Sequence, residues 1–377
     1  MTRQKRSAAA PSRRRAEVGS AAFVPPYPPS WFDRLRARLD RLPISPYVVY
    51  GIFGLVNFIV LTLVQWREGG YPAGDFRAFH PFFAFWVPFM LGLMHYLDGL
   101  AAHAFDTFRP ALSATPEESR SLHYRLTTLP SRTASLIGGG LVLANTLLLL
   151  MDSLILRPVG RSSLLELGSQ LFQVASTPLS EAVTGALVIG IWWISGTFLY
   201  HTVHQLRVIS RIYSRHTRIR LLHLGPLYTF SRVTQRTTIG ILTFFYVFYL
   251  TASGFRGQPV LLLLGGILFA MIAAVTFAWP LVGVHRLLVS EKDHLLDENT
   301  RRLEAGIADL HGRMDRRNLS RIKDLSAALA SLDLERSALA RIPTWPWDPG
   351  TLRGLVAALI VPIIIWAIQL GAGRLLP

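Results

Sequence analysis

The sequence predicts an all-α polytopic membrane bundle of about seven transmembrane helices, with an antiparallel helical hairpin on the cytoplasmic side. Three observations predict it. Seven apolar stretches are long enough to cross a hydrocarbon layer of ~30 Å, which takes about 20 helical residues. Hydrophobic residues are 51% of the 377, charged residues only 16%, and the mean hydropathy is +0.35. A soluble domain carries about a quarter charged residues. Finally, basic residues cluster in alternate connections, as the positive-inside rule requires.

Residues 1–29 are rich in Arg, Ala, Ser and Pro and read as a disordered basic cytoplasmic tail. No apolar stretch precedes Tyr47, so a cleaved secretory signal is not expected. Residues 30–43 (SWFDRLRARLDRLP) form an interfacial amphipathic helix, with Ser30 as N-cap and Pro43 as stop. Trp31, Leu35, Leu39 and Leu42 share one face, and Arg34, Arg36, Arg38 and Arg41 surround the other. Such a helix lies in an anionic membrane surface or packs on the protein's own loops.

A six-span bundle occupies 44–285, with spans near 46–66, 79–105, 134–156, 182–205, 237–255 and 259–285. The sixth is the longest, and Pro280 is expected to kink it. The fifth and sixth meet at a turn, Gly254–Pro259. Residues 342–377 supply the final span, near 351–371, and a short outer C-terminus. From the N-terminal tail to the C-terminus, Lys+Arg counts in the connections run ten, two, four, two, seven, one, eleven and one. This alternation places the N-terminus in the cytoplasm and the chain in the cell (inner or plasma) membrane.

The second connection contains Thr115-Pro116-Glu117-Glu118, a cap, a first-turn proline and a Glu at the third helical position, which starts a short helix over 116–126. The fourth, 206–236, holds seven arginines and no acidic residue. Among them Arg207, Arg211, Arg215, Arg218 and Arg220 form a face suited to anionic lipid headgroups or an acidic protein partner. Residues 286–341 read as a coiled-coil hairpin of helices 287–316 and 319–340, separated at Arg317-Asn318. Leu296, Leu303 and Leu310 fall seven apart, with Ile307 and Met314 expected at the alternate seam position; Leu319, Ile322, Leu329 and Leu332 start the second stripe. Eleven acidic residues balance eleven basic ones over 286–350, so this is a solvated hairpin and not a nucleic-acid arm. Pro343, Trp345 and Trp347 then mark the return to headgroup level.

Candidate chemistry lies in the second, fourth and sixth spans. His95, Asp98, His103 and Asp106 fall within an arc of about 140° at 100° per residue, so they share a helix face. His201 and His204 are three apart, and His285 closes the sixth span. These spans run in one direction, so the seven groups are expected to converge in the cytoplasmic half of the membrane. Ionisable groups there default to a functional reading. Imidazole with carboxylate suits Zn, Mn or non-haem Fe; paired imidazoles suit haem; the same groups suit an ion or proton relay, or structural hydrogen bonds between helices. Metal and cofactor stay unknown at this point. Cysteine is absent, which excludes thiol nucleophiles and disulfide scaffolds. No HExxH, kinase or nucleotide-binding signature occurs, and Gly138-Gly139-Gly140 suits close helix packing, not phosphate contact.

The segments LTTLPSR (126–132), GPLYTFSRVTQRT (225–237) and IPTWPWDPGTLRG (342–354) together resemble an uncharacterised group of bacterial multi-pass membrane proteins. The resemblance runs from the second span to the C-terminus. It implies a long cytoplasmic helical connection before the last span, and it implies no activity or functional residues.

Three functions fit the sequence. The first is a non-enzymatic sensor, scaffold or accessory subunit acting through the hairpin. The second is an ion or proton channel or transporter that uses His95, Asp98 and His103. The third is a metal-dependent membrane enzyme built on the His/Asp cluster.

Overall fold

The computed structural model describes residues 23–76, 79–152, 154, 177–217, 224–251, 259–316, 322–347, 350 and 352–360. The 1–22 part of the basic tail, Arg218 and Arg220, Arg317-Asn318 and the last span beyond 360 lie outside the described residues. Within them the chain is nearly all helical: α1 Trp31–Leu39, α2 Pro46–Arg67, α3 Phe79–Phe108, α4 Pro116–Thr127, α5 Ser131–Met151, α6 Pro178–Arg215, α7 Thr229–Thr251, α8 Pro259–Asp315 and α9 Ile322–Arg341. Residues 352–360 are also helical. Isolated bridges pair Pro29 with Pro130 and Leu112 with Thr217.

Five described helices are long and apolar enough to cross a membrane: Pro46–Arg67, His80–Ala111, Ser131–Met151, Pro178–Arg215 and Gly265–Asp315. This supports a multi-pass membrane protein. The stretch expected as a fifth span begins on α7 and runs past Thr251 into residues outside the described ones; α7 itself, with Ser231, Arg232, Gln235 and Arg236 in its first half, is not among the five. The outward faces of α2 and α5 carry exposed Leu55, Ile59, Leu143 and Leu147. Between apolar helices in lipid, association depends on close packing and hydrogen bonds. The α5–α6 crossing uses close packing. A Cβ on Gly138 would sit 3.0 Å from the Trp193 carbonyl oxygen, and one on Gly196 would sit 2.9 Å from that of Ile137. A Cβ on Gly139 would meet Trp193 Cζ3 at an ordinary 3.5 Å and Gly140 has open space around it, so the first glycine of the triplet is the one the crossing needs.

Local signals set the short helices. Thr115/Glu118 closes the reciprocal capping box that its spacing predicts, and Ser30, expected as N-cap, closes a second one with Asp33. One core cluster gathers Phe32 and Leu39 of α1 with Tyr50, Met94, Phe198 and Phe244. The other gathers Phe105, Phe108, Ile209, Tyr213 and Phe230 with Leu339 of α9. The face of α1 that docks is therefore Phe32, Asp33 and Leu39, while Leu42, expected on the apolar face, is exposed. Phe32 and Leu39 are seven apart and share a face of α1; α1 ends at Leu39, so Leu42 lies in the turn beyond it and not on the helix.

Two expectations for the 259–341 region change. The sixth span and the first hairpin helix are one 57-residue helix, α8, about 85 Å long at 1.5 Å per residue. Pro280 lies inside it without ending it. Buried Leu281, Val284 and Leu288 carry one apolar stripe across the expected boundary, so packing holds the helix where the proline weakens it. α9 returns alongside α8. Lys292 Nζ donates to the carbonyls of Ala340 (2.7 Å) and Ile342 (2.9 Å), and Asn299 Nδ2 donates to that of Leu332 (3.0 Å). The second seam position is thus Lys292, Asn299 and Gly306; Ile307 and Met314, expected there, are exposed. Gly306 lets α9 approach, since a Cβ there would lie 2.7 Å from Leu329 Cδ2.

Candidate functional site

The polar groups of the bundle centre on Asp98, which is 3% exposed. α3 presents it toward α6. Its Oδ1 accepts from His201 Nε2 at 2.8 Å and from Gln205 Nε2 at 3.4 Å. Its Oδ2 accepts from Arg36 Nη1 of α1 at 2.6 Å. A carboxylate so deep in a membrane protein needs such partners, because an unpaired buried charge costs several kcal/mol. With His201 Nε2 donating, Nδ1 is buried with no partner among the described residues, in a side chain 2% exposed.

His95 stands one turn earlier on α3 and makes a second pair with α1. Its Nε2 donates to Asp40 Oδ1 at 3.1 Å, and its Nδ1 accepts from the Tyr50 hydroxyl at 3.3 Å. His204 Nε2 donates to the Arg125 carbonyl at 2.9 Å, beside Tyr27, whose hydroxyl donates to the Thr128 carbonyl at 2.8 Å. Burial pushes the Tyr27 phenol upward, so it stays a donor.

The N-terminal segment is fastened at further points. Asp33 Oδ2 accepts from Ser30 N (2.9 Å), Ser30 Oγ (2.7 Å) and Leu129 N (3.0 Å), while its buried Oδ1 has no partner among the described residues. Burial raises the Asp33 carboxyl above its ordinary range; the bonds from Ser30 oppose the rise, and the Asp98 charge adds to it. Tyr124 donates to the Tyr27 carbonyl at 2.9 Å, and Ser131 N donates to that of Pro28 at 3.2 Å. Together these contacts clamp residues 27–40 across the ends of α3, α4, α5 and α6.

Of the seven groups singled out, the structure brings Asp98 and His201 into direct contact and sets His95 and His204 nearby on the same clamp. It does not bring in the other three. His103 is exposed, Asp106 is exposed and pairs with Arg109 at 3.1 Å, and His285 stacks on Trp345 with centroids 3.9 Å apart. Asp106 lies eight residues beyond Asp98, about 80° further round α3 at 100° per residue, and so faces away from the core that keeps its neighbours Phe105 and Phe108 buried. His285 is taken by the aromatic return after α9, where its Nδ1 donates to the Thr344 carbonyl at 3.1 Å. Among the described residues no three His, Asp or Glu side chains converge as a metal-ligand set.

Sequence reasoning missed Arg36, Asp33, Asp40 and Gln205. The signal for Arg36 was present: it lies four residues after Phe32 and three before Leu39, on the stripe that docks. Gln205 lies four residues after His201, one turn along the same face. Neither family models, curated proteins nor solved structures yielded a match to the chain.

Proposed function

We propose that the chain is a non-enzymatic membrane sensor or scaffold in the cell membrane, with seven spans and its N-terminus in the cytoplasm. The α8–α9 hairpin is its cytoplasmic working surface, and the clamp of residues 27–40 is the part that responds. The observation that carries the reading is α8 itself. It runs unbroken from the apolar region into the solvated pair, so a tilt or rotation within the membrane reaches α9 without an intervening hinge. The use of the buried polar groups supports it further: Asp98 is matched by Arg36, His201 and Gln205 in holding helices together.

The test uses the full chain in lipid nanodiscs. Spin labels on cysteines replacing Glu117 of α4 and Arg301 of α8, both exposed, report the distance between bundle and hairpin. Asp98→Asn loosens the anchor for Arg36, and the distance distribution is expected to shift. Identical distributions with and without Asp98→Asn would overturn the coupling.

The unpartnered Nδ1 of His201 favours one second reading, a proton path through His201 and Asp98. It predicts proton flux in liposomes that Asp98→Asn abolishes; flux absent from the unsubstituted protein removes this reading.

A further inference from the structure

A groove opens between α6 and α8, with a cavity volume of about 630 Å³. That is within the ~300–1,000 Å³ of sites that hold small ligands. Its two ends differ in chemistry. Leu199 and Leu206 of α6 face Ile272, Val275 and Trp279 of α8 across the apolar end. Met271, Val275 and Trp279 are each more than half exposed, so the protein itself leaves this wall open. The other end is lined by Arg207, Arg211 and Arg215 together with Ser210 and Ser214.

The three arginines are spaced four apart, so they form one stripe along α6, about 12 Å from first to last. None is ion-paired among the described residues, and 206–236 contains no carboxylate to compete for them. α8 passes close beside this stripe: Gly283 lies opposite Ser210, where an added Cβ would sit 3.9 Å from Oγ. The serine hydroxyls add donors between the guanidinium groups. An apolar channel that ends in three unpaired guanidinium groups and two hydroxyls complements one kind of molecule. It must carry a long hydrocarbon chain and an anionic head at a fixed distance. Trp279 beside the groove fits the level where indole rings sit between hydrocarbon and headgroup.

We propose that the α6–α8 groove is a binding site for an anionic diacyl phospholipid. Its phosphate sits on Arg207, Arg211 and Arg215, and one acyl chain lies along Leu206, Ile272 and Val275. Guanidinium suits this task because its fork of donors matches phosphate oxygens. The site does not depend on the sensor reading; it describes what occupies the groove in either case.

Native mass spectrometry of the full chain tests it, with phosphatidylglycerol, phosphatidylcholine or inorganic phosphate added to delipidated protein. Phosphatidylglycerol is expected to stay bound, phosphatidylcholine to bind at least tenfold more weakly, and inorganic phosphate neither to bind nor to compete. Two kinds of variant interrogate the two ends. Arg207→Gln/Arg211→Gln removes charge at the head, and Val275→Trp fills the channel from an exposed position. Each is expected to lower phosphatidylglycerol retention at least tenfold. Arg232→Gln/Arg236→Gln removes the same charge from exposed positions outside the groove and is expected to leave retention unchanged. Equal retention by the Val275→Trp variant would overturn the proposal, because the lipid would then be bound by the basic surface alone. Equal losses in the control pair would overturn it for the same reason, and competition by inorganic phosphate would assign the arginines to a soluble anion. Melting temperatures measured without lipid separate loss of binding from loss of fold.

Discussion

Arg36, Asp98 and His201 form a chain in which the buried Asp98 carboxylate is tolerable because of its two neighbours. Removing one partner of a buried pair leaves a charge stranded, a cost of about 3–5 kcal/mol. Asp98→Ala is therefore expected to lower the melting temperature in detergent sharply and to expose residues 27–40 to protease. Arg36→Met/Asp98→Leu, which removes both charges, is expected to recover most of that loss. A double-mutant cycle measures the coupling; two single losses that simply add would show that the pair contributes nothing. Asp33 gives the clamp a pH dependence. Its folded-state pKa is raised by burial, so the folded state holds the proton more tightly than the unfolded chain does. That stabilisation is fully present below about pH 4, the unfolded value, and is lost as pH rises through the raised pKa. Amide protection of residues 27–40 is expected to fall over that window, and Asp33→Asn should flatten the fall; hydrogen exchange read by mass spectrometry follows both. At this scale the sequence was half legible. Helical angles put Asp98 and His95 on one face, and membrane burial demanded partners for them. Arg36 looked like one of four arginines on a wet face, because a long side chain on a docking stripe resembles one pointing into solvent until the docked surface is known. Asp33 went unread, because a carboxylate three residues after an N-cap signals at most a local cap and not a reach to the Leu129 amide.

Close packing at the α5–α6 crossing belongs to the elements. The Cβ atoms that alanine would add at Gly196 meet backbone, the Ile137 carbonyl at 2.9 Å and Gly138 Cα at 3.0 Å, which cannot swing aside. Gly196→Ala is expected to push the helices apart and lower the melting temperature. Gly140→Ala, which meets open space, is expected to be neutral or to stabilise by up to about 1 kcal/mol through helix propensity. Equal effects at the two sites would show that the crossing is not set by close approach. The glycine triplet announced such a crossing, but which glycine serves it depends on helix rotation, a property of the packed pair. The hairpin shows the same limit. A seven-residue leucine spacing nominated one seam position, and apolar character then nominated Ile307 and Met314 for the other. The structure fills it with Asn299 and Gly306, because a bond from Asn299 Nδ2 to the Leu332 carbonyl and the missing Cβ of Gly306 let α9 approach closely. Buried asparagine in such a seam fixes register at a cost in stability, and polar residues at a seam are invisible to a search for apolar periodicity.

Charge asymmetry acts on the molecule as a whole. The positive-inside rule reads membrane layout from where arginine accumulates, and residues 206–236 and 286–341 carry most of it outside the tail. If the seven-span arrangement holds, residues 68–76 lie outside, while α4, the end of α6 and the hairpin all lie inside. Five helices have the length and apolarity to cross; the arrangement then depends on α7 and on the segment that begins at 352. α7 is the decisive element, since its first half is polar and packs beside α3 and α8 while its second half, from Gly240 to Leu250, is almost wholly apolar. If α7 crosses, the hairpin shares a side with α4. If it turns back, α8 enters from the opposite face and the hairpin lies outside. The chain has no cysteine, so every introduced one is read without background. Single cysteines at Asp75, Glu117 and Asp309, all exposed, are expected to react with a membrane-impermeant maleimide in two patterns. The first labels in intact cells, and the other two label only in inverted vesicles. Labelling of Asp309→Cys from outside the cell would show that α7 does not cross, and it would remove the hairpin from the cytoplasm and with it the working surface assigned to it. Labelling of Glu117→Cys and Asp309→Cys from the same cytoplasmic side would place both on the face where Arg207, Arg211 and Arg215 meet the headgroups, the geometry that the lipid groove requires.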